Sequence, residues 1–206
     1  VNLYQLLNAT INLNNHQLLT YIQELINTKT NLVLKDKSLV LIDVSGSMSS
    51  GANSSTTRLQ VATMLAYFIG RVSEDSSIVF TAGNDSRNTV NNQLYIKDIK
   101  NVSYLDFVAD VQYAYERLGY GGIFTRQALE WCKENVQDTF ERTIVISDSV
   151  DCDHYNATSV PFTKYSYLLD ISRSSGNIIY NTNWTAEIRG WSDELPNFIK
   201  EYETDY

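Results

Sequence analysis

The residues best suited to chemistry in this chain lie in the segment 43–49, where a carboxylate and two hydroxyls recur at alternate positions. Asp43, Ser45 and Ser47 follow directly on the apolar run 39–42. Alternate side chains of an extended segment point to the same side, so the three groups can converge on one point. Hard cations such as Mg²⁺ take oxygen ligands and keep several waters, so few protein groups suffice to hold one. The segment predicts a divalent-cation site rather than a nucleophile, although serine- and glycine-rich turns are also common after strands.

A second carboxylate occupies a similar place further along the chain. Asp148 follows the apolar run 143–147, and the pair Gly121 and Gly122 lies between the two carboxylates in sequence. In doubly wound sheets, ligands bind outside the carboxyl ends of the strands, where the direction of winding reverses. Three loops with this placement can therefore form one site.

The elements that must position these loops alternate between strand and helix. Short apolar runs predict strands at 38–43, 77–82, 143–147, 165–171 and 177–180, with an edge strand at 93–99. Helical spacing of apolar residues predicts helices at 58–73, 103–118, 124–136 and 192–202, the last capped by Ser192. This alternation predicts an α/β fold, doubly wound, with a mostly parallel central sheet and helices on both faces.

The remaining residues precede this pattern. Two short helices are predicted at 3–11 and 16–26, so we interpret residues 1–36 as a short helical leader or the tail of an upstream helical region. Residues 37–206 then form the α/β domain. A chain of 206 residues suits one such domain and can bury a core without disulfides.

Composition limits the classes of partner. The net charge is −8, which argues against direct binding of nucleic acid, where affinity comes mainly from basic residues. Two cysteines, Cys132 and Cys152, make no disulfide framework. The sequence contains no stretch of about 20 apolar residues that would span a membrane, and no signal-peptide pattern. We expect a domain that binds no membrane and resides in the cytoplasm or in an intracellular assembly.

Three segments, in order, resemble the motifs of the von Willebrand factor A domain. They are Asp-x-Ser-x-Ser at 43–47, Gly-Gly-Ile-Phe-Thr-Arg-Gln-Ala-Leu at 121–129, and the apolar strand that ends in Asp148. In that family the three loops form the metal-ion-dependent adhesion site. The resemblance covers roughly residues 39–202. It implies a divalent cation held, directly or through water, by Asp43, Ser45, Ser47 and Asp148. Mg²⁺ is the first choice, and Mn²⁺ or Ca²⁺ are alternatives.

The second motif departs from the family pattern. The family usually has Gly-Gly-Thr-x-Thr-Gly-x-Ala-Leu, and its first Thr contributes to the metal. Here Ile123 occupies that position and has no oxygen, whereas Thr125 occupies the second Thr position and Arg126 replaces the following Gly. Three alternatives stay open: Thr125 supplies the ligand, water fills the position, or the site is weakened or lost.

Within the family, the segments 39–48 and 184–192 are most similar to the C-terminal A-type module of the TROVE, or Ro, ribonucleoproteins. There, RNA is held by a ring of helical repeats before the A domain, and residues 1–30 are too short to supply one. We expect a non-enzymatic protein-interaction domain whose cation ligates an Asp or Glu carboxylate of a protein partner. The alternative is a structural module of a larger assembly, a ribonucleoprotein or a particle, with a degenerate metal site.

Enzymatic interpretations fit the sequence less well. An Asp at a strand end resembles haloacid dehalogenase phosphatases, but the acid expected two residues on is Ser45. No G-x-S-x-G motif supports serine hydrolysis, and the only histidines are His16 and His154. Near His154, Asp151 and Asp153 are either extra metal ligands or, more commonly for such acids, part of a solvated turn.

Overall fold

The computed structural model describes residues 33–52, 56–87, 89–91, 94–153, 161–172, 183–192 and 194–204, together with residue 24. The helices expected at 3–11 and 16–26 therefore lie outside the described residues, except for residue 24, as do the strand expected at 177–180 and both histidines. The boundary between a leader and the domain stays a prediction.

A six-stranded sheet forms the centre of the domain. In chain order the strands are β1 (Leu34–Asp43), β2 (Ser73–Thr81), β3 (Gly83–Asn84), β4 (Thr89–Val90), β5 (Leu94–Ile96), β6 (Arg142–Ser147), β7 (Tyr165–Asp170) and β8 (Ala186–Arg189). The sheet order is β5-β2-β1-β6-β7-β8, and β3 and β4 form a separate hairpin. All neighbours in the sheet are parallel except β2 and β5. The winding reverses between β1 and β6, which confirms the doubly wound fold.

Helices cover both faces of this sheet. They are α1 (Arg58–Val72), α2 (Tyr104–Leu118), α3 (Thr125–Asn135) and α4 (Leu195–Thr204). Val40 and Ile42 of β1 belong to the core that contains residues of α1, α2 and α4. Leu39 and Leu41 point the other way and belong to the core of α3. The continuous apolar strand is thus buried on both sides, as its sequence predicts. No helix among the described residues is long and apolar enough to cross a bilayer.

Local sequence explains where the helices begin and end. Thr57 and Gln60 form a capping box at the start of α1, each side chain accepting a hydrogen bond from the other's backbone N–H. Ser103 caps α2 by accepting from the backbone N–H of Asp106. Gly119, at φ 85°, ends α2 in a left-handed conformation that glycine adopts without steric cost. The local sequence thus favours these helix ends, and tertiary packing stabilises the helices further.

Some elements differ from the predictions. Strand β1 begins four residues earlier, at Leu34, because an irregularity around Asp36, at φ 63°, lets the chain rejoin the ladder at Lys37. Helix α4 begins at Leu195 rather than at Ser192, and Pro196 in its first turn needs no N–H partner there. Strand β8 was not predicted, because its four residues are only partly buried and form no continuous apolar run.

A buried arginine joins α4 to the amino end of the sheet. Arg142, the first residue of β6, is 1% exposed, and its Nε and Nη2 donate to the carboxylate of Glu203 on α4. Its Nη1 donates to Ser38 Oγ at 3.0 Å, and Tyr167 Oη donates to Glu203 Oε1 at 3.1 Å. This network lies at the end of the sheet opposite the predicted metal loops, so its role is to hold the fold together.

Candidate metal centre

Two parallel strands bring the first site residues together. Ile42 of β1 lies opposite Ile146 of β6, so Asp43 and Ser147 emerge side by side at the carboxyl edge. Ser147 Oγ donates to Asp43 Oδ2 at 2.6 Å, and the backbone N–H of Ser45 donates to Asp43 Oδ1 at 2.8 Å. Both carboxylate oxygens of Asp43 are therefore fixed in place by the strand ends.

The two serine hydroxyls of the first motif also converge. Ser45 Oγ lies 3.1 Å from Ser47 Oγ. They do not converge through the predicted alternation of side chains along an extended segment. Of the two serines only Ser45 has an extended backbone, and a 3₁₀ turn begins at Gly46. The turn brings Ser47 back beside Ser45, so the predicted residues meet through a turn rather than along a strand.

Asp148 is the second buried carboxylate of the site. Its Oδ1 accepts from the backbone N–H of Val150 at 3.2 Å, and its Oδ2 accepts from Arg58 Nη1 at 2.6 Å. Asp43 and Asp148 are both 0% exposed. Arg58 is the first residue of α1, 90 residues away in sequence, and no motif of the sequence pointed to it.

Burial strongly affects the ionisation of Asp43. The pKa of the Asp43 carboxyl is raised to about 7, chiefly by burial, with a smaller upward contribution from the charge of Asp148, while hydrogen bonds from Ser147 and Ser45 act in the opposite direction. None of the ion pairs between described residues includes Asp43. The site thus holds two carboxylates and one cationic side chain.

The glycine loop is held tightly against the first loop. Gly46 N–H donates to the carbonyl of Gly121 at 3.1 Å, and Asp85 Oδ1 accepts from Gly122 N–H at 2.7 Å. A Cβ on Gly121 would lie 1.9 Å from the carbonyl oxygen of Gly83. Only glycine permits this approach. The β3–β4 hairpin therefore helps to fix the site, through Gly83 and Asp85.

The two residues at the altered family positions are both buried. Ile123 is 0% exposed and pairs with Asp151 in a short parallel bridge. Thr125 is also 0% exposed, and its backbone N–H donates to Asp151 Oδ1 at 3.2 Å. The hydrogen bond from the backbone of Thr125 thus joins it to Asp151 rather than to Asp43 or Asp148. Its role as a ligand stays a prediction.

Asp151 and Asp153 cap the first turn of α3. Phe124, which precedes the helix, offers no side-chain cap. Asp153 Oδ2 accepts from the backbone N–H of Arg126 at 2.7 Å, and Oδ1 accepts from Gln127 Nε2 at 3.0 Å. Carboxylates at a helix amino terminus satisfy free N–H groups and interact favourably with the helix dipole. Neither sequence interpretation, extra ligand or solvated turn, describes this role.

Replacing Asp153 by alanine is expected to lower the free energy of unfolding by about 1 kcal/mol, the usual cost of losing a helix cap. Urea unfolding measures this change. Asp75→Ala serves as the control, because the Asp75 side chain is 49% exposed and caps no helix: it pairs with Lys37 and accepts from the backbone N–H of Ser76, and its loss should cost less. Equal losses in the two variants would show that Asp153 does not stabilise α3.

The donor set fits a hard divalent cation. Asp43, Ser45, Ser47 and Asp148 offer only oxygen, as Mg²⁺ and Mn²⁺ prefer. Among the described residues no group of three or more His, Cys, Asp or Glu side chains is placed to hold a metal. A cation at this edge therefore depends on serine hydroxyls and water beside the carboxylates.

Comparisons with known proteins support the fold. No family model and no curated protein sequence matches the chain. Its structure is similar to the Ro (RSR) protein of Deinococcus radiodurans, with a TM-score of 0.59 and 13% identity over 91% of this chain. The chain spans 38% of the length of that protein. An aerotolerance-related membrane protein of Bacteroides fragilis gives a TM-score of 0.51 and 12% identity, over 83% of this chain and 100% of that one.

These likenesses support the von Willebrand A type of α/β fold that the motifs predict. At these identities the likeness extends to the fold alone. The sheet is doubly wound, as predicted, and the loops of the motifs at 43–47, 121–129 and 144–148 meet beside its carboxyl edge.

Proposed function

We propose that this chain is a non-enzymatic protein-interaction domain that holds a divalent cation, Mg²⁺ in the first place, at Asp43, Ser45, Ser47 and Asp148. The observation that carries the proposal is the buried carboxylate of Asp43, which lies beside Asp148 and forms no ion pair with any described residue. Bound there, the cation would supply an open coordination position for the carboxylate of an Asp or Glu on a partner protein.

The residues around Asp43 have defined parts in this arrangement. Asp43 supplies charge to the cation, and Ser147 and the backbone of Ser45 orient its two oxygens. The hydroxyls of Ser45 and Ser47 lie together at the same edge. Because these groups are already fixed by the fold, little ordering is needed on binding.

A concave surface beside the loops offers room for a partner. A cavity of about 730 Å³ is bordered by Asp85, Asn91, Arg117, Tyr120 and Gly121. Tyr120 is 54% exposed, and tyrosine is enriched in the cores of protein interfaces. Gly121 also contacts Gly46 of the first loop, so a protein seated here would lie next to the cation site.

The second candidate function is a structural module of a larger assembly, such as a ribonucleoprotein or a particle, with a degenerate metal site. Two observations favour it. A buried isoleucine, Ile123, stands at the position where the family has a metal-ligating threonine, and Arg58 already forms an ion pair with Asp148. The sequence resemblance to the Ro module favours the same alternative.

Thermal melting distinguishes the two functions. The melting temperature of the wild type is measured in EDTA and then in millimolar Mg²⁺ or Mn²⁺, beside Asp43→Asn, which keeps the shape of the side chain and removes its charge. A cation that binds only the folded state stabilises it by about 2.7 kcal/mol at a hundred times its dissociation constant. We expect a rise in the wild type and none in Asp43→Asn. Equal behaviour of the two proteins would contradict the metal site and favour the structural module.

A further inference from the structure

Arg58 is the one cationic side chain in contact with the carboxylates of the site among the residues described. Its Nη1 lies 2.6 Å from Asp148 Oδ2, and that contact is the only hydrogen bond described for this oxygen. The other oxygen, Oδ1, already accepts from the backbone of Val150. The oxygen of Asp148 best placed for an external ligand is therefore the one that the guanidinium holds.

The contact uses little of what a guanidinium can offer. Strong arginine–carboxylate pairs are commonly bidentate, with two parallel hydrogen bonds. Here a single nitrogen makes the contact, and Arg58 Nε is buried with no hydrogen-bond partner. The Arg58 side chain is 21% exposed, so the head of the side chain has a way out to solvent. A pair of this geometry can be displaced by a stronger cation.

The position of Arg58 on its helix supports the same conclusion. It is the first residue of α1, where the helix dipole favours anions and disfavours a positive charge. Its backbone N–H donates to the carbonyl of Ser50 at 2.9 Å, so the main chain is fixed close to the first loop. The charge of Arg58 therefore does not serve the helix, and its only described ion-pair partner is Asp148.

We propose that Arg58 is an internal competitor of the cation: it neutralises Asp148 in the metal-free domain and is displaced when a divalent cation binds. This inference rests on the proposed function. A divalent ion beside Asp148 and the guanidinium of Arg58 would repel each other, so the presence of Arg58 weakens cation binding. Loss of the Arg58 contact on binding would also transmit the event to the start of α1.

The experiment is a titration with Mn²⁺ followed by calorimetry, on the wild type, Arg58→Gln, Arg58→Lys and Arg126→Gln. Arg126 is a matched control, since it lies in the first turn of α3 and pairs with Glu130 and Asp153 rather than with Asp148. We expect Arg58→Gln to bind Mn²⁺ at least about tenfold more tightly than the wild type, because the ion no longer has to break a charged hydrogen bond in order to reach Asp148. Arg58→Lys and Arg126→Gln should stay near the wild type.

The outcomes separate the two proposals. Binding by Arg58→Gln that is tighter than binding by the wild type supports Arg58 as the competitor. Binding by Arg58→Gln alone overturns displacement of Arg58 in the wild type and, with it, the proposed cation site of the wild type. Wild-type binding that is unchanged or weakened in Arg58→Gln overturns the role of Arg58 and leaves the metal site intact. If none of the four proteins binds Mn²⁺, both proposals are overturned.

A second readout covers the case in which Arg58→Gln fails to fold. The Nε–Hε resonance of Arg58 in the wild type is followed by NMR during addition of Mg²⁺. Faster exchange of this proton with solvent on binding supports displacement of the guanidinium. An unchanged resonance in protein that has bound Mg²⁺ overturns it.

Discussion

Arg142→Ala is expected to lower the free energy of unfolding by about 3–5 kcal/mol, because removing one partner of a buried ion pair leaves the other charge uncompensated. Glu203 would lose the two guanidinium nitrogens that now donate to it, and Ser38 would lose its contact with Nη1. Helix α4 would lose its link to the amino end of β6. Urea unfolding monitored by far-UV circular dichroism measures the change.

Arg189→Ala is the matched control for this variant. Arg189 also contacts a glutamate, Glu187, but its side chain is 56% exposed, and exposed pairs contribute about 1 kcal/mol or less. Arg142→Met combined with Glu203→Leu should recover much of the loss, since no charge is then left buried. A cost of Arg142→Ala no greater than that of Arg189→Ala would contradict the structural role given to this pair.

Asp43→Asn is expected to raise the free energy of unfolding by a comparable amount when the protein is kept free of metal by EDTA and the pH is above 7. Folding raises the pKa of Asp43 from its ordinary value of 3.8 to about 7. The folded state therefore keeps a proton that the unfolded state releases, and stability decreases as the pH rises through this window. The total loss is about 4 kcal/mol by linkage. The asparagine variant has no such proton, so it should be more stable than the wild type above pH 7.

The difference between the two proteins isolates this residue from the other titrating groups. Free energies of unfolding in EDTA are measured from pH 4 to pH 8 for both. At pH 4 the two proteins should be similar, since Asp43 is then protonated in the folded state and the unfolded state has only begun to gain from its ionisation. Parallel curves over the whole range would show that Asp43 does not carry the buried charge described here.

Much of the site could be predicted because its key residues follow continuous apolar strands. Asp43 and Asp148 each come directly after such a run, and parallel strands bring their carboxyl ends to one edge. The alternation of strand and helix likewise predicted the doubly wound sheet. Strand β8 could not be predicted in this way, because the residues that stabilise it lie on β7 and not in its own sequence.

Contacts between distant residues account for what the sequence did not reveal. Arg58 reaches Asp148 across 90 residues, and Asp153 caps a helix whose first turn lies 27 residues earlier. Neither pair has a local pattern, because an ion pair or a cap can be supplied from any loop that the fold brings near. The loop geometry that requires Gly121 shows itself only when Gly83 packs against it.

The most direct test of the metal site is a crystal structure of the wild-type domain in millimolar Mn²⁺, with the ion located by its anomalous scattering. We predict an anomalous peak that places the ion within bonding distance of Asp43 and of the hydroxyls of Ser45 and Ser47, with the Arg58 side chain turned away from Asp148. An Arg58–Asp148 pair that is unchanged, with no anomalous peak at this edge, would contradict the account.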